Sequence, residues 1–246
     1  AFSFELGKVE TVAVRQRMLG ILSLVDMGLA TQVAYNLGLS VPKPEIPINK
    51  SIPADGDPVN FEPVIVKSSL DKSLSLSMVN TIKDSIKSRK IAVLAADGAD
   101  AAGIDKIRTA ILAGGGVCEV IAPKLGSVIA EDDTQIPVQH SLLTAASVLY
   151  DAVYVAGGVA AVATLESSPD AVHFINEAYK HCKAIAADED ARQVLEATYF
   201  RKKLTEKKIE DGVLIGETNN AFVTSFIKAI AQHRFWEREK PRKIPA

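Results

Sequence analysis

The 246-residue sequence is short of the features that most often announce a function. Cysteine occurs twice, as Cys118 and Cys182; one disulfide is the most that pair allows, so a disulfide-stapled scaffold is excluded. No apolar run approaches the roughly 20 residues that a membrane-spanning helix needs. Charge of one sign is not in excess either. The net charge is −2 and the pI about 6.1, which gives no footing for wholesale binding to nucleic acid or to an acidic membrane. Neither G-x-G-x-x-G nor a Walker phosphate motif occurs. The opening residues Ala1, Phe2, Ser3, Phe4 and Glu5 lack the basic n-region and long apolar h-region of a signal peptide. An opening Ala in place of Met fits a processed product or a cut piece.

What is present is a globular composition. Hydrophobic residues make up 48% and charged residues 24%, enough to expect a buried core. Three segments follow from the patterning. Residues 1–40 form a helical segment: over 8–38, Met18, Leu22 and Val25 fall at i, i+4, i+7, and Leu29, Val33 and Leu37 at i, i+4, i+8. Asp26, Met27 and Gly28 mark a break, and Gly38 a C-terminal cap. Helices this short are marginal alone and need a surface to pack on. Residues 41–88 hold Pro42, Pro44, Pro47, Pro53, Pro58 and Pro63 and then a Ser-rich stretch. They read as an extended linker that wraps another surface or stays disordered, with a short helical turn over 79–86.

Residues 89–246 alternate strand and helix. The apolar run at 91–95 is expected to be a strand covered on both faces, and 117–122, 152–156 and 184–187 are the strands that follow it. Residues 212–215 suggest a fifth. Ile104, Ile107, Ala110 and Ile111 mark a helix that Gly114, Gly115 and Gly116 end. Residues 126–138 read as a hairpin turning at Asp132 and Asp133. Pro169 opens the helix through Phe174, Ala178 and Tyr179, and residues 221–236 form a closing helix. No internal repeat occurs. The spacing predicts an α/β domain, an open parallel sheet with helices on both faces.

Few residues offer chemistry. Gly114 to Gly116 follow a helix and precede a strand, the reverse of a phosphate cradle, and read as a C-cap. Gly157 and Gly158 have the order strand, glycines, helix. Their amides form half an oxyanion hole at the carboxyl end of the sheet, or a tight turn. Asp188, Glu189 and Asp190 follow the fourth strand, where they bind a metal, act as a base, or cap the next helix, the capping role being the expected one. His173, Glu177 and His181 repeat at four residues along one helical face, as a metal site or a solvated stripe. Cys182 adjoins His181, but helix neighbours point apart; Cys118 is expected to be packing. Basic residues cluster at Arg201, Lys202, Lys203, Lys207 and Lys208 and in the tail 234–243 with Phe235 and Trp236. Glu206, Glu237 and Glu239 dilute both clusters, which favours a solvated loop and an anchored tail over a nucleic-acid surface.

Both ends resemble one family. Residues 1–10, AFSFELGKVE, and Ala34, Tyr35, Asn36, Leu37 and Gly38 are similar to the last core helices of large-subunit haem catalases. His233, Arg234, Phe235 and Trp236 through Ile244, Pro245 and Ala246 resemble the terminus of the same proteins, and residues 89–236, including 177–181 and 187–192, their extra C-terminal domain. The resemblance implies a flavodoxin-like fold related to the DJ-1/PfpI superfamily. It also implies a homotetrameric parent that decomposes hydrogen peroxide with haem. In that superfamily a Cys follows the fourth core strand and a Glu the first; Glu189 and Gly103 stand at those positions, so both reactive residues are absent and only Gly157 and Gly158 remain. The haem-ligating R-x-x-x-Y pattern is also absent. The expectation is therefore that no residue of this chain is catalytic and none binds cofactor or metal. The chain would stabilise the parent, contact its core and sister subunits, and act in a chaperone-like way on unfolded proteins. The competing reading is a small hydrolase or deglycase built on Gly157, Gly158 and Asp188 or Glu189. No membrane or nucleic-acid partner is expected, and no compartment is indicated.

Overall fold

The computed structural model describes residues 2–44, 56–57, 74–77, 80, 83–205 and 208–239. Contacts divide the chain into two compact units, Ala1–Asp71 and Lys72–Pro245. The first unit contains α1 (Phe2–Gly7), α2 (Val12–Val25) and α3 (Met27–Asn36). Asp26 makes the break between α2 and α3: its carboxylate accepts from the Leu29 amide at 2.7 Å and caps α3. Gly38, at φ +66°, ends α3. The Leu39 amide donates to Ala34 O at 2.9 Å and the Gly38 amide to Tyr35 O at 3.2 Å, the paired bonds of a Schellman cap.

Leu6, Leu19, Leu22, Ala30, Val33 and Ala34 form the core of this unit, and Leu29 and Leu37 pack against it. The stripe expected on α3 is thus the buried one. That expected on α2 is not: of Met18, Leu22 and Val25 only Leu22 is buried, and Val25 is 75% exposed. Residues 18, 19, 21, 22, 24 and 25 are all apolar, so the helical period alone fits more than one face, and packing on α3 selects Leu19 and Leu22. The other face of α2 leaves Ile21, Leu24 and Val25 in solvent, and Met27, which opens α3, is exposed as well.

The linker expectation for 41–88, helical turn included, falls largely outside the described residues; within 79–86, Asn80 is in a 3-10 conformation and 83–86 are not helical.

The second unit is built on a six-stranded sheet. Its strands are β1 (Lys90–Leu94), β2 (Val117–Ala122), β5 (His140–Ser141), β6 (Ala152–Val155), β7 (Ala184–Asp188) and β10 (Val213–Gly216). Their order is β10-β7-β6-β1-β2-β5, with every neighbouring pair parallel. Ile91, Ala92, Val93 and Leu94, and Val153 and Tyr154 opposite them, are fully buried, as strands covered on both faces require. The helices are α4 (Ala101–Ala113), α5 (Val159–Glu166), α6 (Pro169–Lys180), α7 (Arg192–Glu196) and α8 (Asn220–Gln232). Asp100, Ser168 and Asn219 cap α4, α6 and α8 through side-chain oxygens. Without the short edge strand β5, the order is that of a flavodoxin-like sheet, which reverses direction between β1 and β6.

The expected hairpin is present as β3 (Gly126–Ile129) and β4 (Gln135–Val138), with Asp133 at φ +64° in the turn. Two-residue strands β8 (Leu204–Thr205) and β9 (Lys208–Ile209) pair antiparallel and precede β10 in the chain. The closing helix stops at Gln232 rather than 236, because His233 adopts φ +69° and breaks it.

Candidate functional site

Ligands of such sheets sit outside the carboxyl ends of the strands, at the reversal of strand order. Here that point lies between the loops after β1 and β6, residues 95–100 and 156–158. The two loops are locked together. Asp100 N donates to Gly157 O at 3.0 Å. Gly158 has φ +104°, and a Cβ there would stand 2.1 Å from Gly98 O, so glycine is required both by conformation and by close approach. The β3–β4 hairpin closes the crevice from above: Gly98 N donates to Ile129 O at 2.7 Å and Glu131 N to Ala99 O at 3.1 Å. Glu131 then reaches the start of α5, where Val159 N donates to its Oε1 at 3.2 Å. An internal carboxylate thus occupies the amide that an oxyanion or phosphate would use.

The acidic run after β7 has a different role from the expected cap. The N-cap of α7 is Ala191, which makes no side-chain cap bond. Asp188 Oδ2 instead accepts from Thr218 Oγ1 at 2.5 Å and from Thr218 N at 3.2 Å, and Asp188 Oδ1 accepts from Asp190 N at 3.3 Å. Thr218 Oγ1 lies 2.8 Å from Tyr154 Oη, and Lys106 Nζ donates to Thr218 O at 3.2 Å. The expectation fails because parallel pairing of β7 with β10 brings the chain after β10 against Asp188 before α7 begins. Tyr154 is fully buried, and burial raises its pKa far above the usual phenol value. Asp188 does adjoin Gly157, where a Cβ would stand 2.8 Å from Oδ1, but its carboxylate is committed to Thr218. Glu189 and Asp190 are exposed. At Gly103, a Cβ would meet Asp100 Oδ2 at 2.5 Å and Tyr154 Oη at 3.3 Å; a glutamate does not fit there.

The remaining candidates separate. His181 Nε2 and Lys180 Nζ each lie 3.6 Å from Glu177, while His173 is exposed. Among the described residues no group of three or more His, Cys, Asp or Glu side chains could hold a metal ion. Cys118 and Cys182 are not joined by a disulfide, and burial pushes the Cys118 thiol pKa up, away from the reactive range. Gly114 to Gly116 form a Schellman cap on α4, through Gly115 N to Leu112 O and Gly116 N to Ile111 O, both 3.0 Å. Arg201, Lys202 and Lys203 are exposed, whereas Arg238 is buried at 4% exposure. Lys207 and residues 240–246 lie outside the described residues, as does the Lys208 side chain.

A haem ligand of the expected kind needs a tyrosinate with its oxygen free to reach iron. Tyr150, Tyr154 and Tyr179 direct their hydroxyls to Glu119, Thr218 and Glu210, and burial raises all three pKa values. Tyr35 and Tyr199 are 83% and 57% exposed. The tyrosines of this chain do not fit the group. Tyr154, Thr218, Glu131 and the buried Lys183 went unremarked in the sequence. Only Tyr154, a polar tip inside an apolar strand, carried a readable signal.

Comparison with known proteins agrees with the fold. A family model described as the C-terminal domain found in long catalases matches residues 87–240. Catalase HPII of Mycobacterium avium is 38% identical over 255 residues, covering 100% of this chain and 33% of that protein. Catalase HPII of Pseudomonas putida is 36% identical, covering 100% and 31%. Catalase C of Rhizobium meliloti is 34% identical, covering 99% and 32%. The chain therefore spans about a third of the length of the curated relatives it matches. With the match to the domain model covering most of its length, the chain belongs to the family of C-terminal domains found in long catalases.

Proposed function

We propose that this chain is a non-catalytic module of a larger haem catalase, stabilising its parent and the contacts among subunits of a homotetramer. Decomposition of hydrogen peroxide, and the haem that performs it, then belong to the part of the parent outside this chain. One observation carries the reading: polar groups at the reversal of strand order are engaged by the chain's own residues. Glu131 takes the Val159 amide, Asp188 is bound to Thr218, and the loops holding Gly98 and Gly158 are in direct contact. The residues at the expected nucleophile and acid positions are Glu189 and Gly103, so acyl transfer lacks an attacking group. The segmentation into 1–40, 41–88 and 89–246 belongs to the same reading, the first being the end of the catalase core. The apolar face of α2 is then a surface the parent covers, and in the separate chain it gives chaperone-like capture of unfolded proteins.

The test is to heat a client enzyme with and without the chain and follow light scattering. Suppressed aggregation is expected, and unchanged scattering removes the chaperone-like role. For the stabilising role, the parent lacking residues 87–240 is expected to keep peroxide turnover but lose it at a lower temperature. An unchanged inactivation temperature would remove that role.

A further inference from the structure

The segment after α8 is held in place by an unusual residue. His233 takes φ +69°, ψ −58°, the centre of a γ-turn that Arg234 N closes by donating to Gln232 O at 2.9 Å, a rare and strained conformation. The turn sends residues 234–239 along the amino-terminal edge of the sheet. There Phe235 N donates to Cys182 O at 2.8 Å. The Arg238 guanidinium donates to Lys183 O at 2.8 Å and to Asp211 O at 2.6 and 3.2 Å. Cys182 and Lys183 precede β7, and Asp211 precedes β10, so the segment straps two strands together.

The His233 imidazole is largely buried beside Asp151, its side chain 16% exposed. Nε2 lies 3.5 Å from Asp151 Oδ1, while Nδ1 is buried without a hydrogen-bond partner. The neutral tautomer with its proton on Nε2 suits both atoms, since its N–H faces Asp151 and Nδ1 is left a bare lone pair. Protonation would add a buried N–H with no acceptor. The surrounding charge opposes it too. Arg89 precedes β1; Arg234 follows in the chain, with Nη1 3.9 Å from the same Asp151 oxygen. Lys183, before β7, is buried and donates to Ser147 O. Its field couples to Arg234, to Asp151 and, from α6, to Glu177. Asp151 also accepts from Lys90 N at 2.9 Å. Around this carboxylate two guanidinium groups and an ammonium already gather, and a protonated His233 would be a fourth cation.

We propose that His233 is an acid-released latch: neutral, it holds residues 234–239 against the amino-terminal edge of the sheet, and protonated it lets them lift away. The direction of its pKa agrees. Burial, then Arg234 and Arg89, lower it from 6.5, and Asp151 only partly offsets them. The unfolded or released form therefore takes up the proton first. The latch is intact above pH 6.5 and weakens as pH falls through 6.5 toward the lower folded value.

Trp236, the sole tryptophan of the sequence, lies in the strap and reports on it. The full 246-residue chain would be titrated from pH 8 to 5, following Trp236 emission and hydrogen exchange of the Phe235 and Arg238 amides. Exchange would be corrected for its intrinsic pH dependence. His233→Asn keeps a polar side chain of similar reach and cannot be protonated. The wild-type emission is expected to move below pH 6.5, and Phe235 exchange to accelerate, up to about tenfold for each pH unit between unfolded and folded pKa. The variant is expected to stay flat across that range. Parallel profiles in the two proteins would overturn the proposal. So would a wild-type His233 imidazole pKa, measured by NMR, at or above 6.5, a result that needs no variant to fold.

Discussion

Replacing Asp188 by Ala separates a structural role for that carboxylate from a catalytic one. Asp188 accepts from both the amide and the hydroxyl of Thr218, and Thr218 is 4% exposed, so water cannot readily take its place. A hydrogen bond to a charged acceptor contributes about 1.5–3 kcal/mol, and a stranded buried donor costs about 1–3 kcal/mol. The hydroxyl can still pair with Tyr154, so only the amide is left stranded, and the net loss should be about 2–4 kcal/mol. For a unit of this size, at about 2–4 °C per kcal/mol, the melting temperature should fall by roughly 5–15 °C. Thermal unfolding followed by circular dichroism reads this directly. Thr218→Val and the double variant complete a cycle whose coupling should lie between about 0.5 and 3 kcal/mol. A carboxylate kept for chemistry commonly carries a stability cost, and its removal is then neutral or stabilising. A melting temperature within about 1 °C of wild type, less than half a kcal/mol on the same scale, would refute the structural role.

Gly158→Ala should destabilise by more than about 3 kcal/mol, since it adds a positive-φ strain to a backbone clash with Gly98; urea unfolding measures it. Burial, with Arg234, lowers the Lys183 pKa from 10.5 to about 8. The unfolded chain therefore holds the proton more tightly, and stability should rise as pH increases from 8 to 9.5; Lys183→Met should flatten that slope in chemical unfolding at each pH. Leu24→Lys with Val25→Lys should reduce binding of an apolar fluorescent dye by the separate chain without lowering its helix content, because both side chains are 54% or more exposed.

The sheet was legible because strands buried on both faces must be apolar throughout, and residues 91–94 and 152–155 are. The turns were legible where backbone geometry demands one residue type: Gly38 and Gly115 sit at positive φ, as expected of caps. The stripe on α2 was not, because its apolar residues cover more than one face and only the neighbouring helix decides between them. The candidate site was legible as a place and not as a set of contacts. Gly157, Gly158 and Asp188 do meet at the carboxyl edge. Glu131, bonded to Val159 beside Gly158, and Thr218, bonded to Asp188, lie 28 and 30 residues from those partners, with no local pattern to reveal the pairing. The resemblance to long catalases drew attention to Glu189 and Gly103, whereas the contacts of Glu131 and Thr218 became visible only in three dimensions.

The most direct measurement mixes the purified chain with one equivalent of haemin, records the Soret band, and then follows oxygen release on adding peroxide. The expected result is the spectrum of free haemin and no oxygen beyond that of haemin alone. A shifted, sharpened Soret band together with sustained oxygen release would contradict the account.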